Sequence, residues 1–273
     1  MILAININNN TIVNIVIYTI VFNLIMDEGS KLEILLQQVN KSHVCFKNVE
    51  SILSLDRNDR INSINDVNKV YLDIRLFSYD EEPLLQNVNI NLSKGDALLI
   101  KGKNGSGKST LLKLIVNLIE GYEGIVRINN LDVNTIKREC LSDQILYIAQ
   151  EEKYLNETLY DYLRIVTKKE ISDHEISEIL NSLNFGSFDE KLDYNGGSLS
   201  GGQKKKLALA KLIILKNKAS LILLDEVDSG LDNDTKILYT NIINEIISEK
   251  NKILIVIQHT DSDEIEYNKN YTV

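Results

Sequence analysis

The first segment of the chain is apolar and carries no charge. Residues 1–26 contain no charged side chain, and residues 11–26 consist mainly of Ile and Val, diluted by Asn14 and Asn23. A helix that crosses a bilayer needs about 20 apolar residues, and this stretch reaches that length if the residues before it are included. We predict a membrane-spanning helix, with a buried β-rich segment or a disordered segment as alternatives. No Lys or Arg precedes it, which argues against a secretory signal peptide.

A helical period follows in residues 31–56. Apolar side chains recur there at steps of three and four residues, with polar side chains between them, as in an amphipathic helix. No Gly or Pro interrupts residues 31–56. A helix that ran from residue 11 to residue 55 would be about 65 Å long. Residues 57–69 are polar and non-periodic, as is typical of a linker. The predicted division is an N-terminal hydrophobic and amphipathic helix (1–56), a linker (57–69) and a globular domain (70–273).

From residue 70 onward, short β-branched runs alternate with helical patterns. Predicted strands cover residues 70–76, 97–101, 125–128, 144–148, 221–224 and 253–257, and predicted helices follow Lys108, Glu157, Ser172, Gly201 and Asn233. Such alternation indicates an α/β domain with a largely parallel sheet. In sheets of this kind ligands bind beyond the carboxyl ends of the strands, so motifs at those ends are candidate sites.

Composition narrows the class of protein. Of 273 residues, 44% are hydrophobic and 25% are charged, which is ordinary for a globular chain with a sizeable core. The net charge of -9 argues against a nucleic-acid partner, because binding to nucleic acid needs a concentrated basic surface. The one lysine cluster, Lys204, Lys205 and Lys206, is interpreted as a solvated helix face. Cys45 and Cys140 lack metal-type spacing and predict reduced thiols.

A glycine-rich loop follows the apolar run 97–100, and a helical pattern (residues 111–119) comes after it. The loop matches the phosphate-loop pattern G-x-x-x-x-G-K-[ST] and comprises Gly102, Lys103, Asn104, Gly105, Ser106, Gly107, Lys108, Ser109 and Thr110. Its glycines let backbone N–H groups converge on phosphates at the positive end of the helix. We predict that Lys108 lies between the β- and γ-phosphates, that Ser109 binds Mg²⁺, and that Thr110 adds a donor.

A second candidate site lies at the end of an apolar strand. Residues 221–224 are all Leu or Ile and lead directly into Asp225 and Glu226. A strand this apolar is buried on both faces, so its end projects the two carboxylates towards the edge where the phosphate loop also lies. Asp225 is the predicted Mg²⁺ ligand. Glu226 is the predicted general base for the attacking water, a role typically worth about 10²–10⁴-fold in rate. The two motifs together predict an enzyme that binds and hydrolyses a nucleoside triphosphate.

Between these motifs stands Leu199-Ser200-Gly201-Gly202-Gln203. A Ser and two Gly at a predicted helix start form a second anion site. This quintet resembles the signature of ABC (ATP-binding cassette) ATPases, and residues 70–260 resemble an ABC transporter's nucleotide-binding domain. The resemblance implies a mostly parallel core sheet, a small antiparallel β subdomain and a helical subdomain. It also implies that two such domains pair head to tail, the signature of one closing over the ATP of the other.

Further positions match motifs of this family. Tyr79 matches the aromatic residue that stacks on adenine, a contact worth about 1–3 kcal/mol. Gln150 matches the loop glutamine that reaches Mg²⁺, and His259 matches the switch histidine that contacts the γ-phosphate. Residues 229–232 resemble the loop that contacts the partner domain. The resemblance thus implies three catalytic residues, Glu226, His259 and Lys108, and three metal ligands, Ser109, Gln150 and Asp225.

The order of the segments is similar to the end of an exporter's membrane domain, whose last spanning helix continues into the ATPase. Among exporters, this order of segments is most similar to that of the peptide and bacteriocin exporters. The leading hypothesis is the nucleotide-binding part of an exporter-type ABC transporter, which hydrolyses ATP to power transmembrane export. The second is a separate ATPase subunit for another permease, in peptide export or self-immunity. The third is a soluble ABC ATPase that acts on DNA or ribosomes.

The leading hypothesis specifies the cofactors, the partners and the location. The cofactors are ATP and Mg²⁺. The partners are a second copy of the chain or another ABC ATPase domain, and a membrane-spanning permease, at the cytoplasmic face of the cell membrane. The cargo is not specified by this sequence, because membrane helices select it.

Overall fold

The computed structural model describes residues 60–79, 82–168, 171–186, 191–258 and 264–273, together with Phe22 and Met26. Phe22 and Met26 are helical and have exposed side chains. The rest of the helix expected over residues 1–56 lies outside the described residues. Within the described part of the chain, no helix combines the length and the apolar character that crossing a bilayer requires. Residues 60–273 form one compact unit.

This unit is an α/β domain. Its strands are β1 (Lys69–Phe77), β2 (Leu85–Ser93), β3 (Ala97–Lys101), β4 (Glu123–Ile128), β5 (Leu131–Asp132), β6 (Ile145–Ile148), β7 (Leu221–Asp225), β8 (Ile253–Ile257) and β9 (Lys269–Thr272). Its α-helices are α1 (Lys108–Ile115), α2 (Arg138–Gln144), α3 (Leu159–Thr167), α4 (Asp173–Ser182), α5 (Gly201–Leu215) and α6 (Asn233–Glu249). All six predicted strands are present. Helix α1 ends at Ile115 instead of residue 119, because Asn117 takes a left-handed φ of 55°.

The strands form two sheets. A four-stranded antiparallel sheet has the order β2-β1-β4-β5, and a five-stranded sheet has the order β6-β7-β8-β3-β9. Every neighbouring pair described in the second sheet is parallel. The predicted α/β class, with a mainly parallel core sheet and a smaller antiparallel sheet, is therefore confirmed.

Alternating side chains along the parallel strands create two apolar clusters. On β7, Leu221 and Leu223 belong to the cluster that also includes side chains of β1, β2, β4 and α1. Ile222 and Leu224 belong to the cluster that includes side chains of α3, α4, α5 and α6. Because both faces are covered, all five residues of β7 are buried, as the uninterrupted apolar run predicts. This layering brings the carboxyl ends of β3 and β7 to the same edge of the sheet.

The segment before β1 packs as part of the domain. Val67 is fully buried, and its backbone N–H donates to Ser220 Oγ at 2.9 Å. Asn62 forms an isolated parallel bridge with Ile136. These contacts satisfy backbone groups that a free linker leaves to water. Residues 60–68, predicted as part of a linker, are thus an ordered part of this unit.

Candidate functional site

The glycine-rich loop joins β3 to α1 and encloses a lysine. Lys108 is the first residue of α1 and only 5% exposed. Its Nζ donates to the carbonyl oxygens of Gly102 and Lys103, both at 3.0 Å. The loop carbonyls therefore hold the ammonium group beside the positive end of α1, where an anion is favoured.

Gly107 makes the tight entry into α1 possible. Its φ is 98°, in the left-handed region, and an added Cβ would lie 2.5 Å from Cδ2 of Leu85. Only glycine meets both conditions, because it has no Cβ to clash with the backbone or with the neighbouring strand. The short distance shows that the loop is packed directly against β2.

Ser109 and Asp225 lie side by side, although 116 residues separate them. Ser109 Oγ donates to Asp225 Oδ1 at 3.1 Å. Asp225 ends β7 and is 1% exposed. Burial raises the pKa of this carboxyl, and the hydrogen bond from Ser109 opposes that shift. A hydroxyl beside a carboxylate is an oxygen donor pair that fits Mg²⁺, which usually binds proteins through one or two such groups together with phosphates and water.

Glu226 is held in an uncommon backbone conformation. Its φ is 53°, a left-handed value that costs a non-glycine residue about 1–2 kcal/mol. Its carbonyl oxygen accepts from Lys205 Nζ at 2.7 Å and from Ser229 Oγ at 2.9 Å, while its N–H donates to Ile257 O at 3.1 Å. Its carboxylate accepts from Gln150 Nε2 at 2.6 Å. Strain retained in this way marks a candidate functional residue.

The phosphate loop, Gln150 and Glu226 meet at one cleft of about 490 Å³, a size typical of small-molecule sites. The residues that line it are Tyr79, Leu84, Asn104, Gly105, Gly107, Lys108, Ser109, Thr110, Gln150 and Glu226. All of these except Leu84 were predicted from sequence. Among the other predicted loop residues, Gly102, Lys103 and Ser106 do not line the cleft, and Asp225 adjoins it through Ser109.

Tyr79 presents an aromatic ring at this cleft. Its side chain is 58% exposed, and its ring packs edge-on against Phe77 at 5.0 Å between centroids. Its hydroxyl oxygen lies 3.4 Å from Thr110 Oγ1. One contact orients the ring while much of it stays accessible, as stacking on a flat ligand requires. Its stacking on adenine stays a prediction.

The signature residues form the start of α5. Ser200 caps the helix: its Oγ accepts from the N–H of Gln203, and the Gln203 side chain accepts from the N–H of Ser200. Gly201 and Gly202 are exposed, and an added Cβ on either would meet nothing within 4 Å. None of these four residues lines the cleft beside the phosphate loop. The Gln203 side chain, predicted to bind nucleotide, is engaged in the cap.

His259 lies outside the described residues, so its role stays a prediction. The residue before it, Gln258, is buried at the end of β8. Gln258 Nε2 donates to Tyr239 OH at 3.3 Å, and its Oε1 accepts from Tyr267 OH at 3.2 Å. Two tyrosines therefore hold the Gln258 side chain.

The interpretation of the lysine cluster as a solvated helix face is wrong. The three lysines are only partly exposed, and each donates to a main-chain carbonyl of another segment. Successive helix residues point about 100° apart, so the three side chains reach three different places. The acceptors are the carbonyl oxygens of Asn195 for Lys204, Glu226 for Lys205 and Asn184 for Lys206. Sequence reasoning missed these contacts because each acceptor is a main-chain carbonyl, which any residue type supplies.

Comparisons with known proteins match this geometry. The sequence profile of the ABC transporter family matches residues 85–229. The lactococcin-G-processing and transport ATP-binding protein LagD of Lactococcus lactis is 30% identical over 236 residues, covering 81% of this chain and 33% of that protein. The probable iron export ATP-binding protein FetA of Escherichia coli is 33% identical over 185 residues, covering 67% of this chain and 81% of that protein.

A solved structure of a bacterial Atm1-family ABC exporter with ATP bound superposes with a TM-score of 0.65 at 20% identity. The match covers 84% of this chain and 42% of that chain; at this identity it shows the fold alone. The chain spans about a third of the length of the ATP-binding/permease proteins that it matches. Together, the phosphate loop, the signature helix start and the acidic strand on this fold show that the chain belongs to the ABC transporter family and contains its exporter-type ATP-binding domain.

Proposed function

We propose that this chain binds ATP with Mg²⁺ and hydrolyses it to power transmembrane export, as the nucleotide-binding part of an exporter-type ABC transporter. One observation carries the proposal: Ser109 pairs with Asp225, and Gln150 pairs with Glu226, at the cleft that the phosphate loop lines. Three motifs from distant parts of the chain thus meet where a triphosphate binds.

Each residue at the cleft has a role that its position supports. The loop N–H groups and Lys108 bind the β- and γ-phosphates. Ser109, Asp225 and Gln150 hold Mg²⁺, which when bound neutralises charge on the phosphate oxygens. Glu226 orients the attacking water and accepts its proton, while Gln150 keeps the Glu226 carboxylate directed into the cleft. His259 contacts the γ-phosphate, and Tyr79 stacks on the adenine.

The signature helix start supports a head-to-tail dimer. Ser200, Gly201 and Gly202 present an exposed helix N-terminus that does not line the chain's own phosphate cleft. A second molecule can bring its bound ATP to this N-terminus, so that each nucleotide lies between two chains. The membrane-spanning partner is a permease, and the ATPase works at the cytoplasmic face of the membrane.

Replacing the general base tests the hydrolysis step. Glu226→Gln removes the proton acceptor but keeps the size of the side chain, so we expect ATP binding to persist while turnover falls by about 10²–10⁴-fold. Steady-state phosphate release and equilibrium ATP binding measure the two effects. Glu139→Gln, at an exposed position of α2, is the matched control and should leave both unchanged. Undiminished turnover in Glu226→Gln would refute the assignment.

A separate ATPase subunit for a permease on another chain is the second candidate. The match to FetA supports it, because this chain covers 81% of that protein. Expression of this chain alone in a heterologous host, followed by membrane fractionation, distinguishes the candidates. A chain that carries its own membrane segment sediments with membranes after an alkaline wash. A separate subunit stays in the supernatant until its permease is co-expressed.

A further inference from the structure

One side chain joins the signature helix to the backbone of the general base. Lys205 lies in the second turn of α5, the helix that Ser200 caps. Its Nζ donates to the carbonyl oxygen of Glu226 at 2.7 Å. The contact therefore connects the start of α5 with the residue that directly follows β7.

The hydrogen bond from Lys205 affects hydrolysis because it reaches the backbone of Glu226. Its left-handed φ of 53° persists only if its surroundings enforce it, and the direction of its carboxylate follows from its backbone angles. Two of the supporting groups are local: Ser229 lies in the same loop, and Ile257 lies on the neighbouring strand. Lys205 comes from a different layer of the domain. A shift of α5 thus changes the support of Glu226 and leaves the local contacts in place.

The next lysine holds the other end of the same loop. Lys206 Nζ lies 2.9 Å from Asp232 Oδ2, and Asp232 caps α6 by accepting from the N–H of Thr235. The hydrogen bond from Lys206 holds the pKa of the Asp232 carboxyl well below its usual range, so this carboxyl is ionised at neutral pH. Successive residues of α5 therefore bind both ends of the segment 226–232.

Resting on the proposed function, we propose that Lys205 is a positioning residue: it transmits the placement of the signature helix to the backbone that aims Glu226. In the head-to-tail dimer, ATP of the partner binds at the start of α5. Lys205 then links that event to the general base of this chain's own site. The hydrogen bond from Lys205 to the Glu226 carbonyl thus couples the two nucleotide sites within one chain.

Lysine variants test this coupling. Lys205→Met removes the donor, so we expect turnover to fall about 10–100-fold, as for a catalytic group displaced by about 1 Å. The KM for ATP and the ATP affinity should stay within about twofold, because the phosphate loop is untouched. Lys205→Arg keeps a donor of similar reach and should recover most of the turnover. Lys204→Met is the matched control: it removes the same charge from the same turn, but its bond is to Asn195.

A double-mutant cycle separates positioning from a structural effect. Because Lys205 acts through Glu226, adding Lys205→Met to Glu226→Gln should not lower the residual single-turnover rate any further. If the two residues acted independently, the free-energy effects of the two substitutions would add. Equal turnover in Lys205→Met and Lys204→Met overturns the proposal, as does a loss of ATP affinity parallel to the loss of turnover, or additivity in the cycle. Failure of the proposed function is distinguishable, because it appears as a wild-type protein that does not hydrolyse ATP.

Discussion

The side chains of the site meet in pairs whose members are far apart in sequence. Ser109 meets Asp225, and Gln150 meets Glu226. Ser109, Asp225 and Glu226 belong to local motifs with their own chemistry, so the sequence identifies them directly. Gln150 is identified only by the resemblance to the ABC family. Leu84 and Lys205 belong to no such pattern. Their roles follow from contacts that only the folded chain makes.

The phosphate loop requires glycine at position 107, and a substitution tests this requirement. Gly107→Ala adds a Cβ at a φ of 98° and 2.5 Å from Leu85. The left-handed conformation alone costs about 1–2 kcal/mol, and the added Cβ also forces the buried Leu85 side chain to shift. We expect ATP binding to be lost and thermal stability to fall. Gly121→Ala is the control: its φ is 86°, but its added Cβ meets nothing within 4 Å, so it should retain ATP binding.

At the scale of helices and strands, α4 and α5 begin with the same type of N-terminal cap, but only α5 is predicted to bind nucleotide. Ser172 with Glu175 and Ser200 with Gln203 each form a capping box. Loss of a serine cap costs about 1 kcal/mol. Ser172→Ala and Ser200→Ala should therefore lower the free energy of unfolding by similar amounts in denaturant titrations.

The same two variants should differ in ATP-dependent dimerisation. In the Glu226→Gln background, we expect Ser200→Ala to weaken the dimer and Ser172→Ala to leave it unchanged, since only α5 starts with the signature. Analytical ultracentrifugation with ATP and Mg²⁺ measures this. Equal dimerisation by both variants would show that Ser200 is only a helix cap.

The strands that sequence reasoning missed are all edge strands. β2 and β5 are the edges of the antiparallel sheet, and β9 is an edge of the parallel sheet. One face of β2 is exposed and carries Asn, so this strand lacks an apolar run. The central strands β3, β7 and β8 are buried along almost their whole length. Continuous burial demands continuous apolar sequence, and this made those strands predictable.

At the scale of the whole molecule, nucleotide should control assembly. We expect Glu226→Gln to be monomeric without nucleotide and dimeric with ATP and Mg²⁺, because slow hydrolysis preserves the closed pair. Size-exclusion chromatography coupled to light scattering measures the mass. Gly202→Glu in this background should stay monomeric: it places a negative charge at the helix start, in open space, and repels the partner's phosphates. A dimer that persists in Gly202→Glu would contradict the head-to-tail arrangement.

Sequence alone determined the α/β class, the central strands and the motifs that line the cleft, because burial and phosphate chemistry each leave a local pattern of residue types. Tertiary structure alone decided how the antiparallel sheet forms around β2 and where the three lysines of α5 attach. It also decided that residues 60–68 belong to the domain. These features depend on contacts between distant segments, such as Val67 with Ser220 and Lys205 with Glu226. A hydrogen bond to a main-chain carbonyl can form with any residue type, so it leaves no pattern in the sequence.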